Sequence, residues 1–176
     1  MGKEKTRAQV HREMAEKCMQ AHKEITDARN EGREPMGVGS APAKATWYCP
    51  QNERWLELDH VPYLDAPFAI KELTLYSKRI PDIAVSSYDI FPSEEGWAMI
   101  VRWSGIGEDG KKHGFEEADF YWTDENFNLV KFECYSDSLQ CAKIVAYNMD
   151  MTMEELMAQN SKGTDTSQYD EILDKA

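Results

Sequence analysis

Cysteine is scarce in this chain of 176 residues, and its spacing gives no sign of a zinc site. No two cysteines form a Cys-x-x-Cys pair, and no histidine lies near them at metal-binding spacing. No apolar run approaches the roughly 18 residues that a membrane span requires, and no glycine-rich phosphate loop is present. We therefore expect reduced, mostly buried thiols and predict no metal, no cofactor and no transmembrane segment. The cysteines are Cys18, Cys49, Cys134 and Cys141.

Basic residues are also few relative to acidic ones. The chain has 20 Lys and Arg against 32 Asp and Glu, so its formal net charge is −12. Such a field repels phosphate backbones, and we expect no nucleic acid partner. The N-terminus alternates charges and has no apolar stretch of the kind found in secretory signals, which predicts a cytoplasmic location.

The length and composition predict one globular domain. An apolar content of 41% in a chain of this length is enough for a single core that encloses a small-ligand cavity. We place the domain at residues 1–160 and a polar C-terminal tail at residues 161–176.

The first predicted element is a long amphipathic helix that ends near Gly32, because its apolar residues recur every three or four positions. A Gly- and Pro-rich loop follows at 32–42, then a short helix at 43–48, a strand at 54–59 and a helix at 66–78. The helix stripe consists of Val10, Met14, Cys18, Ala21, Ile25 and Ala28.

The second half of the chain predicts an antiparallel sheet. Strands are expected at 84–91, 97–104, 113–123 and 129–135, and the Asp109-Gly110 dipeptide favours a hairpin between the second and third of these. The fold class is therefore α+β, with the main helices ahead of the sheet. The strand at 97–104 is apolar on both faces, which indicates that helices cover one face and a second subunit covers the other.

Several local strings, in this order, resemble the nuclear transport factor two-like superfamily, and within it the SnoaL-like polyketide cyclases and ketosteroid isomerases. The strings are YCPQNERWLELD, FAIKEL, PDIAV, WAMIVRWSGIGEDGK and DFYWTDENFNLVKFECYSD, and the resemblance covers roughly residues 20 to 140. It implies a curved antiparallel sheet wrapped around the long N-terminal helix, as a cone with a deep apolar pocket. It also implies a homodimer that pairs through the outer face of the sheet.

The resemblance carries chemistry to a few positions. It places a base at Glu57, with Asp59 two residues further on, and a pocket acid at Asp119; a ketosteroid isomerase uses an uncharged Asp of this kind to stabilise an oxyanion, as is well established. The helix Tyr of the isomerases falls close to Ile25, which cannot donate a hydrogen bond. Phe127 stands where the hairpin of the family usually has Gly.

Strand parity supports Asp119 independently of the resemblance. Glu117 and Asp119 lie on one face of their strand together with Phe115 and Tyr121, and a carboxyl enclosed by aromatic rings is driven toward its neutral, acidic form. The alternative is that this face is simply the solvated side of the sheet. Glu57 and Asp59 have a comparable alternative, in which the strand runs into a polar turn.

Histidine and aromatic residues complete the predicted site. His60 follows the strand end where the pocket of the family opens; it either shuttles protons there or hydrogen-bonds to the backbone of a turn. His22 lies at the edge of the helix stripe, where it either faces into the cone or, as we expect, lies on the flank of the helix, and His113 beside the hairpin is expected in solvent. Residues expected to bind a ring-containing ligand are Trp47, Tyr48, Trp55, Tyr63, Trp103, Tyr121 and Phe132.

Two functions remain open at this point. The first is a cofactor-independent enzyme that isomerises, cyclises or dehydrates a small hydrophobic, polyketide- or terpenoid-like molecule, with Asp119 as acid and Glu57, Asp59 or His60 as base. The second is a non-catalytic module of the same fold that binds a small ligand or a protein partner.

Overall fold

Helices precede and follow a six-stranded sheet in the computed structural model, which describes residues 5–36, 42–49, 54–60 and 76–161. The fold is α+β, as the sequence predicts. The elements are α1 (Arg7–Glu31), β1 (Pro42–Cys49), β2 (Arg54–His60), β3 (Ala84–Pro92), β4 (Gly96–Ile106), β5 (Lys112–Thr123), β6 (Leu129–Ser136), α2 (Ser138–Met149) and α3 (Met153–Ser161).

The sheet has the strand order β2-β1-β6-β5-β4-β3 and is open rather than closed into a barrel. Strands β3 to β6 pair antiparallel in chain order, which confirms the four antiparallel strands that the sequence predicts. Strand β1 pairs antiparallel with β2 but parallel with β6, so the sheet as a whole is mixed. The short helix predicted at 43–48 is wrong, because the segment belongs to β1 and pairs with β2 on one side and β6 on the other.

Helix α1 crosses one face of the sheet and contacts β3 and β4. Its prediction is confirmed, including its end at Gly32, which adopts a φ of 66° and donates its backbone N–H to the last turn. The buried stripe differs from the predicted one because it includes His11 and His22, which an apolar pattern does not count. None of the described helices is long and apolar enough to cross a membrane.

Two helices follow the sheet, in a region between residues 136 and 160 for which the sequence analysis predicted no element. Helix α2 begins at Asp137, whose side chain accepts the backbone N–H of Gln140, and it packs against β5. It adds Cys141 and Ile144 to the main core. Of the helix predicted at 66–78, residues 66–75 lie outside the described part and 76–77 are helical; residues 162–176 of the predicted tail also lie outside it.

The first turn of α1 is hydrogen-bonded to the loops at one end of the sheet. The Arg7 guanidinium donates to the backbone oxygens of Glu94 and Asp124, and it lies 4.5 Å from the ring centroid of Phe127. Phe127 has a φ of 63°, a conformation that glycine adopts most easily. This position is the one where the family that the sequence resembles usually has Gly, and the contact with Arg7 helps to hold Phe127 there.

The His11 ring reinforces the same attachment. It is fully buried, with Nδ1 2.7 Å from the backbone oxygen of Ser93 and Nε2 2.8 Å from the hydroxyl of Thr123. Because a carbonyl can only accept, Nδ1 carries a proton. These contacts fix the face of α1 that is presented to the sheet, and this face decides which strand residues are enclosed.

Candidate functional site

The inner face of β5 carries two buried carboxyl groups. Asp119 is 0% exposed and Glu117 is 3% exposed, and both point into the core that α1 and α2 cover. The neighbours on the opposite face, Ala118 and Phe120, are only partly buried. The alternative that Glu117 and Asp119 lie on the solvated side of the sheet is therefore wrong.

Glu117 is held by a hydrogen bond from the neighbouring strand. The indole Nε1 of Trp103 donates to Glu117 Oε1 at 2.8 Å, and the Cys134 thiol lies 3.9 Å from Oε2. Trp103 is itself fixed by stacking against Phe115, with a centroid distance of 6.0 Å and an interplanar angle of 9°. A buried N–H donor of this kind stabilises a carboxylate more than a carboxylic acid.

Asp119 lies next to Glu117 on the same face, opposite Met99 of β4 and Cys134 of β6. One carboxyl oxygen of Asp119, one of Glu117 and the sulfur of Cys134 all lie within 4.8 Å of one another. Two negative charges at this separation repel by about 3 kcal/mol at an effective dielectric constant of about 20. The two carboxyls are therefore electrostatically coupled.

The thiol and phenol groups beside the carboxyls stay protonated near neutral pH. Burial raises the pKa of the Cys134 thiol well above its usual value, and the nearby Asp119 and Glu117 raise it further. Burial also raises the pKa of Tyr121 well above the usual range. The pKa of Cys18 rises to about 12, chiefly through burial; a hydrogen-bonding contact with Tyr121 lowers it and Asp119 raises it. A thiolate nucleophile is disfavoured here.

His22 of α1 contacts Trp103, the residue that holds Glu117. Its ring is 3% exposed and meets the Trp103 ring edge-on, at a centroid distance of 5.7 Å and an interplanar angle of 78°. Burial lowers the pKa of His22 to about 4, so the imidazole is neutral at pH 7. His22 thus lies inside the core and not on the flank of the helix.

Three of the predicted ligand-binding aromatics lie on the same inner face as the carboxyls. Trp103, Tyr121 and Phe132 are 4%, 1% and 0% exposed, and the Tyr121 and Phe132 ring centroids are 4.8 Å apart. His113 was expected in solvent, but its ring stacks on the ring of Tyr147, with the two centroids 4.3 Å apart. The inner face therefore combines aromatic rings with carboxyl groups.

The other predicted residues lie elsewhere in the sheet. Glu57, Asp59, His60 and Trp55 belong to β2, Trp47 and Tyr48 belong to β1, and Tyr63 lies outside the described residues. In the backbone register Trp47 of β1 is opposite Cys134 of β6, and Cys134 is opposite Asp119 of β5. These three residues therefore form one row across the sheet. Strand β2 is three strands from β5, or about 14 Å along the sheet at the usual strand spacing.

Three members of the cluster, Glu117, His22 and Cys134, were not among the predicted site residues. Glu117 shares the parity of Asp119, and this signal was visible in the sequence. His22 falls on the buried stripe of α1 when the helix is read at positions 11, 15, 18, 22 and 25 instead of through its apolar residues alone. The contact of Cys134 depends on pairing between β5 and β6 and leaves no mark in cysteine spacing.

No family model matches this chain, and no curated protein matches it significantly. Solved structures do match it. An NTF2-like protein of unknown function from Burkholderia pseudomallei shares 13% identity, covers 73% of this chain and 96% of its own, and gives a TM-score of 0.45. A protein from Jannaschia named as a SnoaL-like polyketide cyclase shares 9% identity over 82% of this chain and 98% of its own, with a TM-score of 0.49.

A steroid delta-isomerase from Pseudomonas aeruginosa shares 12% identity over 88% of this chain and 94% of its own, with a TM-score of 0.40. At these identities and TM-scores the likenesses assign no activity to this chain. The protein from Burkholderia pseudomallei is described as NTF2-like and the one from Jannaschia as SnoaL-like, which are the family names that the sequence resemblance also carries.

Proposed function

We propose that this protein is a cofactor-independent acid/base enzyme that isomerises, cyclises or dehydrates a small hydrophobic molecule, with Asp119 as the acid. The observation that carries the proposal is the pair of buried carboxyls, Glu117 and Asp119, on an inner face rich in aromatic rings. A carboxylic acid in such surroundings keeps its proton near neutral pH and can donate a hydrogen bond to a developing oxyanion. The rings keep the surroundings of the two carboxyls apolar.

The proposed base is His60 on β2. In the backbone register Leu56 continues the row of Asp119, Cys134 and Trp47, and His60 shares the parity of Leu56, whereas Glu57 and Asp59 of the same strand have the opposite parity. This strand and β5 are separated by about 14 Å along the sheet, which is too far for a proton to pass directly between the two side chains. A substrate of several fused or linked rings spans such a distance. The acid then binds the carbonyl oxygen at one end of the substrate, and the base removes a carbon-bound proton nearer the other.

A non-catalytic ligand-binding module is the second candidate. It is favoured by Ile25, which is 1% exposed and lies close to the position where the isomerases have a hydrogen-bonding Tyr. Without that Tyr the site has one donor fewer for an oxyanion, and removing a single such donor typically costs about 10² to 10³ in rate.

The experiment that tests the enzyme proposal needs no knowledge of the natural substrate. The protein is incubated in D2O with a panel of cyclic ketones, β-keto esters and polycyclic enones, and deuterium incorporation next to the carbonyl is followed by NMR. We expect at least one compound to exchange faster with folded protein than with heat-denatured protein. If compounds bind, as seen by changes in the protein spectrum, but none exchanges, the binding module is the correct function.

A homodimer in the cytoplasm is part of the proposal. The outer face of the sheet carries an aromatic cluster in which the Phe120 ring lies 6.2 Å from that of Trp122 and 5.9 Å from that of Tyr135. Tyr135 is 46% exposed, and such a cluster is typical of an interface between subunits. Sedimentation velocity is expected to give the mass of two chains, and Trp122→Glu to give the mass of one. A single-chain mass for the unmodified protein excludes the dimer.

A further inference from the structure

We propose that the outer edge of β3 binds an extended peptide segment of a partner protein. The segment adds to the sheet as an antiparallel strand and carries an acidic side chain followed, two positions later, by a basic one. The receiving surface is a groove of about 520 Å³ to which α1 contributes Arg12, Glu16 and Gln20 and β3 contributes residues 88–91. None of these residues belongs to the carboxyl cluster, so the inference does not depend on the function proposed above.

Strand β3 lies at one end of the sheet, and its only neighbour among the described strands is β4. Sheets usually protect such an edge with lysine, proline or a bulge, because its outward N–H and C=O groups can pair with a further strand. In β3 a bulge lies near the start and Pro92 at the end, no lysine is present, and the single charge, Asp89, pairs with Arg102 at 2.8 Å. Residues 87–91 are therefore open to strand addition.

Aromatic side chains lie on both faces of this edge. Tyr88 is 45% exposed and Phe91 is 54% exposed. Tyr88 is opposite the buried Val101 of β4, so it projects on the inner face beside α1, whereas Phe91 is opposite Ala98 and projects on the outer face. An added strand packs one set of alternate side chains against Tyr88 and the other set against Phe91, which removes apolar area of both rings from water.

The polar side chains of the groove are not engaged within the protein. The side chains of Arg12, Glu16 and Gln20 and the hydroxyl of Tyr88 make no hydrogen bond or ion pair with any residue that the structure describes. Each of the other arginines with a described side chain donates to a backbone or carboxylate oxygen. These are Arg7, Arg29, Arg33, Arg79 and Arg102. The groove thus has one cation, one anion and two neutral polar groups available to a ligand.

The directions of α1 and β3 set the order of charges in the partner. His11, near the start of α1, contacts Ser93 just after β3, and Arg29, near the end of α1, contacts Ile83 just before β3. The helix therefore runs antiparallel to this strand. Because β3 already pairs antiparallel with β4, and antiparallel pairs are the commoner kind, we take the added strand as antiparallel to β3. It then runs in the same direction as α1.

The spacing of the groove side chains matches that of a strand. Arg12, Glu16 and Gln20 follow one another every four residues, or about 6 Å along the helix axis. Alternate residues of a strand point to the same side and are about 6.8 Å apart. The inward side chains of the added strand therefore meet Arg12, then Glu16, then Gln20. Charge complementarity calls for an acidic residue first, a basic residue two positions later and a hydrogen-bonding residue two positions after that.

Two synthetic hexapeptides, blocked at both ends, test the proposal. The first, Thr-Glu-Val-Lys-Val-Thr, has the expected order of charges, and the second, Thr-Lys-Val-Glu-Val-Thr, exchanges them at constant composition. Each is titrated into the 15N-labelled full chain. We expect the first peptide to shift the amide signals of residues 87–91, to slow their hydrogen exchange and to bind roughly tenfold more tightly than the second, because two exposed ion pairs become two repulsions. High salt should reduce this preference.

The double substitution Arg12→Glu with Glu16→Arg should reverse the preference, so that the second peptide binds more tightly than the first. Lys17→Glu is the matched control, since it changes the charge of α1 by the same amount as Arg12→Glu but lies outside the groove. It should leave the preference of the wild type unchanged. All three positions are exposed, so these substitutions remove no core contact.

Several results overturn the proposal. One is the absence of shifts at residues 87–91 with either peptide at millimolar concentration, and another is equal affinity for the two peptides. A preference of the wild type for the second peptide contradicts the antiparallel order. Protection of the same amides that increases with the concentration of the free protein identifies a second copy of this chain as the occupant and also excludes the proposed partner.

Discussion

Replacing Asp119 with asparagine is expected to slow deuterium exchange of the active panel compound by about 10² to 10⁴-fold, the usual contribution of a general acid. The amide has nearly the same shape as the carboxylic acid but cannot transfer a proton. It can still donate an N–H to a carbonyl oxygen. Asp119→Ala loses both abilities, so we expect it to be slower than Asp119→Asn if hydrogen bonding to the oxyanion is part of the mechanism.

Glu116→Gln is the control for this series. It lies three positions before Asp119 on the outer face of β5, where its side chain is 62% exposed and within 3.3 Å of Arg102. Its exchange rate should equal that of the wild type. The free energy of unfolding is measured for every variant, so that unfolding of a variant is not mistaken for the loss of the general acid. Exchange by Asp119→Asn at the wild-type rate would show that Asp119 is not the acid.

The strands around Asp119 could be predicted because apolar and aromatic runs of strand length are separated by short turns. Every second residue of β5 from Phe115 to Tyr121 lies on the inner face. The residues paired with them in β4 and β6 are also two positions apart, so the same face is kept across the three strands. The alternation of side chains does not tell which face of the sheet is buried. The buried face is the one that α1 covers. The position of α1 depends on the contacts of His11 with Ser93 and Thr123, which are more than 80 residues away in the chain.

Segments whose structure depends on distant partners were predicted less well. The segment 43–48 has no clear period, and its pairing with β6, far along the chain, makes it a strand. Helix α2 was missed although Cys141, Ile144 and Asn148 recur at helical spacing after the capping residue Asp137. The buried Asn148 interrupts an apolar pattern, yet its amide donates to the backbone oxygens of Tyr76 and Ile144.

The second large effect is a loss of stability in acid that originates at His22. The pKa of this imidazole is about 4 in the folded protein because of burial, against about 6.5 in the unfolded chain. Between these two values the unfolded chain binds more protons than the folded one, so the free energy of unfolding falls as the pH falls. Above pH 6.5 both states are neutral and His22 contributes no pH dependence. Across the whole interval the loss is about 3 kcal/mol.

Urea unfolding of the wild type and of His22→Gln between pH 4 and pH 8 isolates this contribution. The comparison is needed because carboxyl groups also titrate in this range. Both proteins keep the carboxyl contribution, so it cancels in their difference, and the difference should change by about 3 kcal/mol as the pH falls from 7 to 4. Gln20→Ala, an exposed substitution on the same helix, should run parallel to the wild type. Equal slopes for the wild type and His22→Gln would mean that the imidazole accepts its proton in the folded core as readily as in water, and the burial of His22 against Trp103 would then have no electrostatic consequence.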